Sequence, residues 1–232
     1  MKFSLVFITK NEKVGLVNLL PKIDLSLFHQ VYAIDAYSND GTREIFEKYQ
    51  ILCINQSIPG LGGATLKARA NCKTDAMVFF HPDGNEDPSD LMRFIDYLSF
   101  GYELVIASRM IEDAYNEDDD KLLKFRKWAN LGFALIANTA FGSRDCQITD
   151  VVQGFRAISC SAFDRLKLDQ TNCTIDYQMV IRALKARLKI REFPTIEGHR
   201  IAGATNFASI PTGIAELKML LREFRIGNSF LR

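Results

Sequence analysis

The segment Phe79-Phe80-His81-Pro82-Asp83-Gly84-Asn85-Glu86-Asp87-Pro88 sets an imidazole, a carboxylate and an amide at alternate positions directly after an apolar run. Those groups suit a divalent cation, because magnesium and manganese favour oxygen ligands and manganese also accepts imidazole. Alternate residues past a strand end can point to one side, so His81, Asp83 and Asn85 form a candidate metal set. A second reading is a polar turn closing a buried strand. Pro82, Gly84 and Pro88 are turn formers, and Asp and Asn are common in turns. Taken alone, the segment favours the turn. Asp35 and the stretch from Thr9 to Glu12 alter that balance, because each also follows an apolar run.

Such residues meet only if particular elements carry them. Short apolar runs recur at SLVFI (4–8), VYAID (31–35), ILCIN (51–55), MVFFH (77–81) and ELVIAS (103–108). The first four are each followed by turn residues and a helical pattern, and ELVIAS closes the series. This alternation reads as repeated βαβ units, an α/β fold with a mostly parallel central sheet flanked by helices. Unbroken apolar runs fit strands covered on both faces. In such sheets ligands bind beyond the carboxyl ends of the strands, where Thr9 to Glu12, Asp35, His81 and Asp83 fall.

Beyond an acidic link at 113–120 (DAYNEDDD), read as a solvated loop, the pattern changes. Residues 121–141 read as an amphipathic helix with Lys121, Lys124, Arg126 and Lys127 crowded at its start. Its apolar residues Leu122, Leu123, Phe125, Trp128 and Leu131 suit either a lipid headgroup layer or packing on the sheet. The lone tryptophan beside the basic cluster favours proximity to a membrane. TDVVQGFRAIS (149–159), a helix at 176–188, KIREFPTI (189–196) and a basic helix at 215–225 follow. The simplest parse is one domain over 1–232, with halves of about 1–112 and 121–207 and a helical extension over 208–232.

With 29 basic and 28 acidic residues among 232, the chain offers no overall field for a polyanion, which disfavours bulk nucleic-acid binding. Five scattered cysteines without C-x-x-C spacing read as reduced thiols in a cytoplasmic protein. No apolar stretch approaches the roughly 18 residues that span a bilayer. Any membrane contact is therefore expected to be peripheral, on the cytoplasmic face.

The motifs together resemble those of the family 2 glycosyltransferases of the GT-A fold, a Rossmann-like nucleotide-diphospho-sugar transferase fold, nearest the dolichyl- or polyprenyl-phosphate mannosyltransferases. SLVFITKNE is similar to the family's strand and Asn-Glu turn, and AIDAYSNDGTREIFEKY to its nucleotide motif. PGLGGATLKA resembles its Gly-rich turn, and FFHPDGNEDP stands where the family carries Asp-x-Asp followed by Gln or Asn. VIASR and TDVVQGFRA resemble two further segments, and the resemblance runs from about residue 3 to about 207. The chain departs at Ala36, Leu61, His81, Gln153 and Asn206, where the family has Asp, Lys, Asp, Ser and Lys.

The resemblance implies transfer of a hexose from a GDP- or UDP-sugar, with inversion, to a polyprenyl phosphate or a glycan hydroxyl, assisted by manganese or magnesium. It implies catalytic roles for Asp83, Asp150 and Arg200, and donor contacts from Thr9, Glu12, Asp35, Asp40 and Arg109. Arg126 and Arg156 would meet the acceptor, and His81, Asp83 and Asn85 the metal. Other readings remain for several of these: a helix start at 40–42, a surface cation at Arg126, a structural ion pair at Arg156. For the chain as a whole, a degenerate scaffold stays as a rival, motivated by Ala36, Leu61, His81 and Asn206.

Overall fold

The computed structural model describes residues 1–120, 124–143, 146–201 and 209–231. Along the chain run β1 (Phe3–Thr9), α1 (Lys13–Leu19), β2 (Gln30–Asp35), α2 (Thr42–Lys48), β3 (Leu52–Asn55), α3 (Leu61–Asn71), β4 (Ala76–Phe80), α4 (Leu91–Ser99) and β5 (Leu104–Ser108). Then come α5 (Phe125–Phe141), β6 (Arg156–Ser159), α6 (Cys160–Leu166), α7 (Ile175–Lys185), β7 (Ile190–Pro194) and α8 (Ser209–Ile226). The seven strands form one sheet in the order β3-β2-β1-β4-β6-β5-β7. All neighbours pair in parallel except β6, which is antiparallel to both β4 and β5.

The unbroken apolar runs behave as strands covered on both faces, since β4 and β5 are buried at every position. Successive side chains of a strand leave opposite faces. Phe3, Leu5 and Phe7 therefore join one core with α1, α2 and α4, while Val6 joins the other with α3, α5, α6, α7 and α8. On the first face Phe7, Phe80, Phe155, Phe94 and Phe193 form a chain of ring contacts with centroids 4.8–5.8 Å apart. Such pairs each add about 0.5–1.5 kcal/mol beyond their buried area. This row ties β1, β4, the residue entering β6, α4 and β7 together along one face of the sheet.

Two features arise from tertiary pairing. β6 is only four residues long, and its reversed direction brings the residues before it to the same edge as the carboxyl ends of the parallel strands. The acidic stretch is also less solvated than its composition implies. Asp118 is buried and accepts from the Lys127 amide, and Asp119 pairs with Lys124 and Lys127.

Close approach fixes the turn after β4. A Cβ on Gly15 would lie 1.7 Å from the Pro82 carbonyl oxygen, against backbone that cannot swing away. Alanine inside a helix normally stabilises, by about 1 kcal/mol over glycine. Here the overlap reverses the sign, and Gly15→Ala is expected to lower the unfolding free energy by about 2 kcal/mol, read from urea denaturation.

Candidate active site

At the carboxyl ends of β1 and β2, Thr9 and Asp35 are register partners. The Asp35 carboxylate is fully buried and accepts from Thr9 Oγ1 at 3.3 Å, the Ser38 amide at 3.0 Å, Ser38 Oγ at 2.5 Å and Arg43 at 3.1 Å. Asp40 is also occupied. It accepts from the amide and hydroxyl of Thr42 and from the Lys13 amide, which fastens the start of α2 to the start of α1. Its carboxyl titrates below the usual value because these hydrogen bonds outweigh burial. Gly41 is the N-cap of α2, with φ 99°, and the Thr42 hydroxyl accepts from the Glu12 amide. Thr42 therefore serves the neighbouring turn instead of capping its own helix.

The turn after β4 carries the most reactive arrangement. Asp83 Oδ2 accepts from Arg200 at 2.7 Å, and Glu12 Oε1 stands 3.5 Å from the same guanidinium. The segment bearing Arg200 is pinned to the turn by backbone bonds from Gly198 to Asn85 and from Ile201 to Asp83. Burial, and then the Asp83 charge, push the Glu12 carboxyl up to about 7. In the unfolded chain Glu12 titrates near 4.5, so between about pH 4.5 and 7 the folded, metal-free protein holds a proton that the unfolded chain releases. Stability should fall across that window as pH rises, by about 3 kcal/mol in all. Urea denaturation at pH 5 and 8 checks this, and Glu12→Gln should flatten the difference.

His81, read in the sequence as a metal ligand, is held by Glu86. Its Nδ1 stands 2.7 Å from Glu86 Oε1, and its amide donates to Glu86 Oε2 at 2.7 Å. Burial opposes the imidazolium, but the Glu86 carboxylate prevails and raises the pKa to about 9. Glu86 takes Nδ1, which leaves Nε2 as the ring nitrogen that could turn to a metal. The fit to a cation rests on the two other members: Asn85 Oδ1 is buried without a hydrogen-bond partner, and Asp83 presents a carboxylate two residues away. An orphaned amide oxygen beside a carboxylate is the donor set a hard cation takes. Among the described residues no cluster of three His, Cys, Asp or Glu side chains could hold a metal ion.

A second cluster lies where β5 ends and β6 begins. Arg109 donates to Asp150 from its amide, Nε and Nη2 at 2.8–3.1 Å, and to Glu197 from Nη1 at 2.7 Å. Asn130 completes the Asp150 carboxylate, which has no exposed surface. Burial acts against the Asp150 charge, but Arg109 prevails and its pKa lies below the usual value. Both Asp150 oxygens are thus taken up by these donors, while the Arg109 side chain keeps 16% of its surface exposed.

Arg156 is fully buried, donating to the carbonyls of Gln153 and Asp176, with the Asp176 carboxylate 3.4 Å away. This is the structural ion pair and not an acceptor contact. It also gives Asp176 a buried partner, more than placement at a helix start requires. Arg126 is exposed and pairs with Glu117 at 3.0 Å. The Gly-rich turn, for its part, meets protein: the amides of Gly62 and Gly63 donate to the carbonyls of Asn172 and Thr171.

The sequence profile of Glycosyl transferase family 2 matches residues 4–167, most of the chain. The chain belongs to that family. Among curated relatives, this family 2 chain is 25% identical to glycosyltransferase AglJ of Haloferax volcanii, over 95% of its own length and 71% of the relative's. It is also 25% identical to the dolichol-phosphate mannosyltransferase of Pyrococcus furiosus, over 88% of its own length and only 58% of that protein's. Solved structures share the fold. Glucosyl-3-phosphoglycerate synthase from Mycobacterium tuberculosis, with Mn2+ and UDP-glucose, superposes with a TM-score of 0.73 at 16% identity, covering 97% of this chain and 79% of that one. A mycobacterial protein superposes with a TM-score of 0.75 at 17% identity, covering 95% and 73%. The GT-A expectation of an α/β fold is met, with one strand reversed.

Several residues of the family 2 site escaped the sequence reading. Glu86 holds His81, Glu197 and Asn130 hold the Arg109–Asp150 pair, and Glu192 accepts from the Thr149 and Asp150 amides. Glu86, Asn130 and Glu192 sat inside segments already singled out, but nothing local to those segments names the partner each one meets. Lys121, Leu122, Leu123 and Asn206 lie outside the described residues.

Proposed function

We propose that this family 2 glycosyltransferase transfers a hexosyl group from a nucleoside diphosphate sugar to a phosphate of polyprenyl-phosphate type, with inversion at the anomeric carbon. The observation that carries the reading is the Glu12–Arg200–Asp83 cluster beside the orphaned Asn85 oxygen, at the carboxyl ends of β1 and β4. A divalent cation, manganese or magnesium, would be held by Asp83 and Asn85. When bound, it would neutralise charge on the departing diphosphate. Arg200 adds a fixed guanidinium suited to phosphate oxygens, and Asp35 with Thr9 would line the nucleoside side. Catalysis would come from holding the reactants in line and from preorganised charge.

The Asp150 geometry favours phosphate over a sugar hydroxyl as acceptor. A hydroxyl nucleophile needs a base, and Asp150 is fully engaged. A phosphate monoester is already ionised at neutral pH and needs none. Incubating the protein with manganese and a panel of GDP- and UDP-sugars should give donor hydrolysis or transfer to a polyprenyl phosphate. No turnover, and no nucleotide binding by calorimetry, would overturn the proposal.

A lipid acceptor also accounts for apolar side chains turned to solvent. On α8, Ile210, Ile214, Leu217, Leu221 and Phe224 are all exposed, and spacings of four and three put them on one face. Phe125 and Trp128 at the start of α5 are 64% and 53% exposed. Among the described residues no helix is long and apolar enough to cross a membrane. The protein is expected to co-sediment with anionic phospholipid vesicles, and Leu217→Glu with Leu221→Glu should weaken that binding several-fold.

A further inference from the structure

At the opposite edge of the sheet, Cys72 and Cys160 face each other with their sulfurs 3.5 Å apart, although 88 positions separate them in the chain. The fold brings them together for a definite reason. Cys72 ends α3 shortly before β4, and Cys160 opens α6 directly after β6. Because β6 runs antiparallel to β4, with Ser159 opposite Ala76, the end of one strand lies at the start of the other. The Cys160 amide donates to the Asp75 carbonyl at 2.8 Å, which holds this corner closed. Around the Cys72 sulfur stand Ser4 Oγ at 3.5 Å and Thr74 Oγ1 at 3.3 Å. Cys72 is partly exposed and Cys160 is buried.

We propose that Cys72 and Cys160 form a redox modification site, at which a peroxide joins the two thiols in an intramolecular disulfide. The Cys72 sulfur attacks one peroxide oxygen, and the O–O bond breaks. This leaves a sulfenic acid on Cys72, and the second oxygen departs as water once protonated. The Cys160 sulfur then attacks the Cys72 sulfur. The S–S bond forms, the S–O bond breaks, and the Cys160 proton leaves with that oxygen as a second water. The pair of thiols loses two electrons, and the peroxide gains them.

The environment sorts the two roles. Cys72 is the more exposed sulfur and the one peroxide can reach, and its contact with Cys160, reinforced by Ser4 and Thr74 against burial, lowers its pKa to about 5. Cys160 is raised by the contact with Cys72 and by burial. The thiolate is the nucleophile, so Cys72 reacts first and Cys160 resolves. The other three thiols are all raised by burial and should react slowly. The pair lies away from Asp83 and Arg200, so the bond is a staple closing a long loop and not a gate on the site.

Treatment of the folded protein with hydrogen peroxide should remove two of its five free thiols and two hydrogens of mass. A non-reducing peptide map should then show Cys72 joined to Cys160, with full reversal by dithiothreitol. The oxidised form should melt about 5–10 °C higher, as a long closed loop implies. Cys160→Ser should stop at a sulfenic acid trapped by dimedone on Cys72. A Cys53→Ser/Cys146→Ser/Cys173→Ser variant should still lose both of its thiols. Retention of both thiols in that variant, pairing of other cysteines in the native chain, or oxidation of Cys72 past the sulfenic acid with Cys160 intact would each overturn the proposal.

Discussion

Asp83→Asn is expected to lower sugar transfer by about 10²–10³-fold while leaving the melting temperature nearly unchanged. The substitution keeps the shape of the side chain and removes its charge. Arg200 then loses its 2.7 Å carboxylate partner, and the cation proposed for this turn loses its only anionic ligand among Asp83 and Asn85. Stability should hold because loss of the Asp83 charge lets the neighbouring Glu12 carboxyl ionise, so Arg200 keeps a carboxylate partner. The effect should fall on kcat and on manganese-dependent nucleotide binding together, read by steady-state kinetics and calorimetry. A variant within about threefold of the parent would remove Asp83 from the centre of the mechanism.

Arg109→Leu is the second large effect, and it should appear as instability. Arg109 satisfies the fully buried Asp150 and also Glu197, so its loss leaves two carboxylates without their cation. Breaking a buried pair on one side costs about 3–5 kcal/mol, which for a chain of this length lowers the melting temperature by about 10 °C. The pH dependence gives the sign. In the parent, Arg109 holds the Asp150 pKa below its ordinary value, so the pair stabilises at neutral pH and the contribution fades as pH falls below the ordinary carboxylate range. In the variant burial acts on Asp150 without the Arg109 cation to oppose it, with the Asn130 hydrogen bond still in place. The deficit should be largest near neutrality and shrink in acid, measured by urea denaturation at pH 7 and 4. Replacing Asp150 by leucine as well should recover part of the loss, because no buried carboxylate then stands unpaired. A simple donor-phosphate contact would show neither the instability nor the recovery.

The site was legible where a polar residue follows an apolar run. Asp35 and Asp83 stood out in this way, and parallel pairing of β1 with β2 and β4 brings both to one sheet edge. The Arg109–Asp150–Glu197 cluster was not legible as a unit. Its members come from the ends of three segments that meet only because β6 is reversed between β4 and β5 and because β7 lies beside β5. Arg109 and Asp150 were recognised by type, but not as each other's partner. His81 was likewise recognised by type and not by its partner, since the carboxylate that holds its ring is Glu86.

Hydrophobic periodicity and turn residues alone were enough to establish alternating strands and helices and the polar ends of the strands, because both follow from burial of local runs. The acidic stretch, the buried arginines and the two facing cysteines show what local pattern leaves open. Whether Asp118 is solvated, whether Arg156 meets an acceptor or a carbonyl, and whether Cys72 stands alone all depend on which distant segment fills the adjoining space. Charge and reactivity respond to neighbours within a few ångströms, and in this protein those neighbours are supplied by strand order across the sheet.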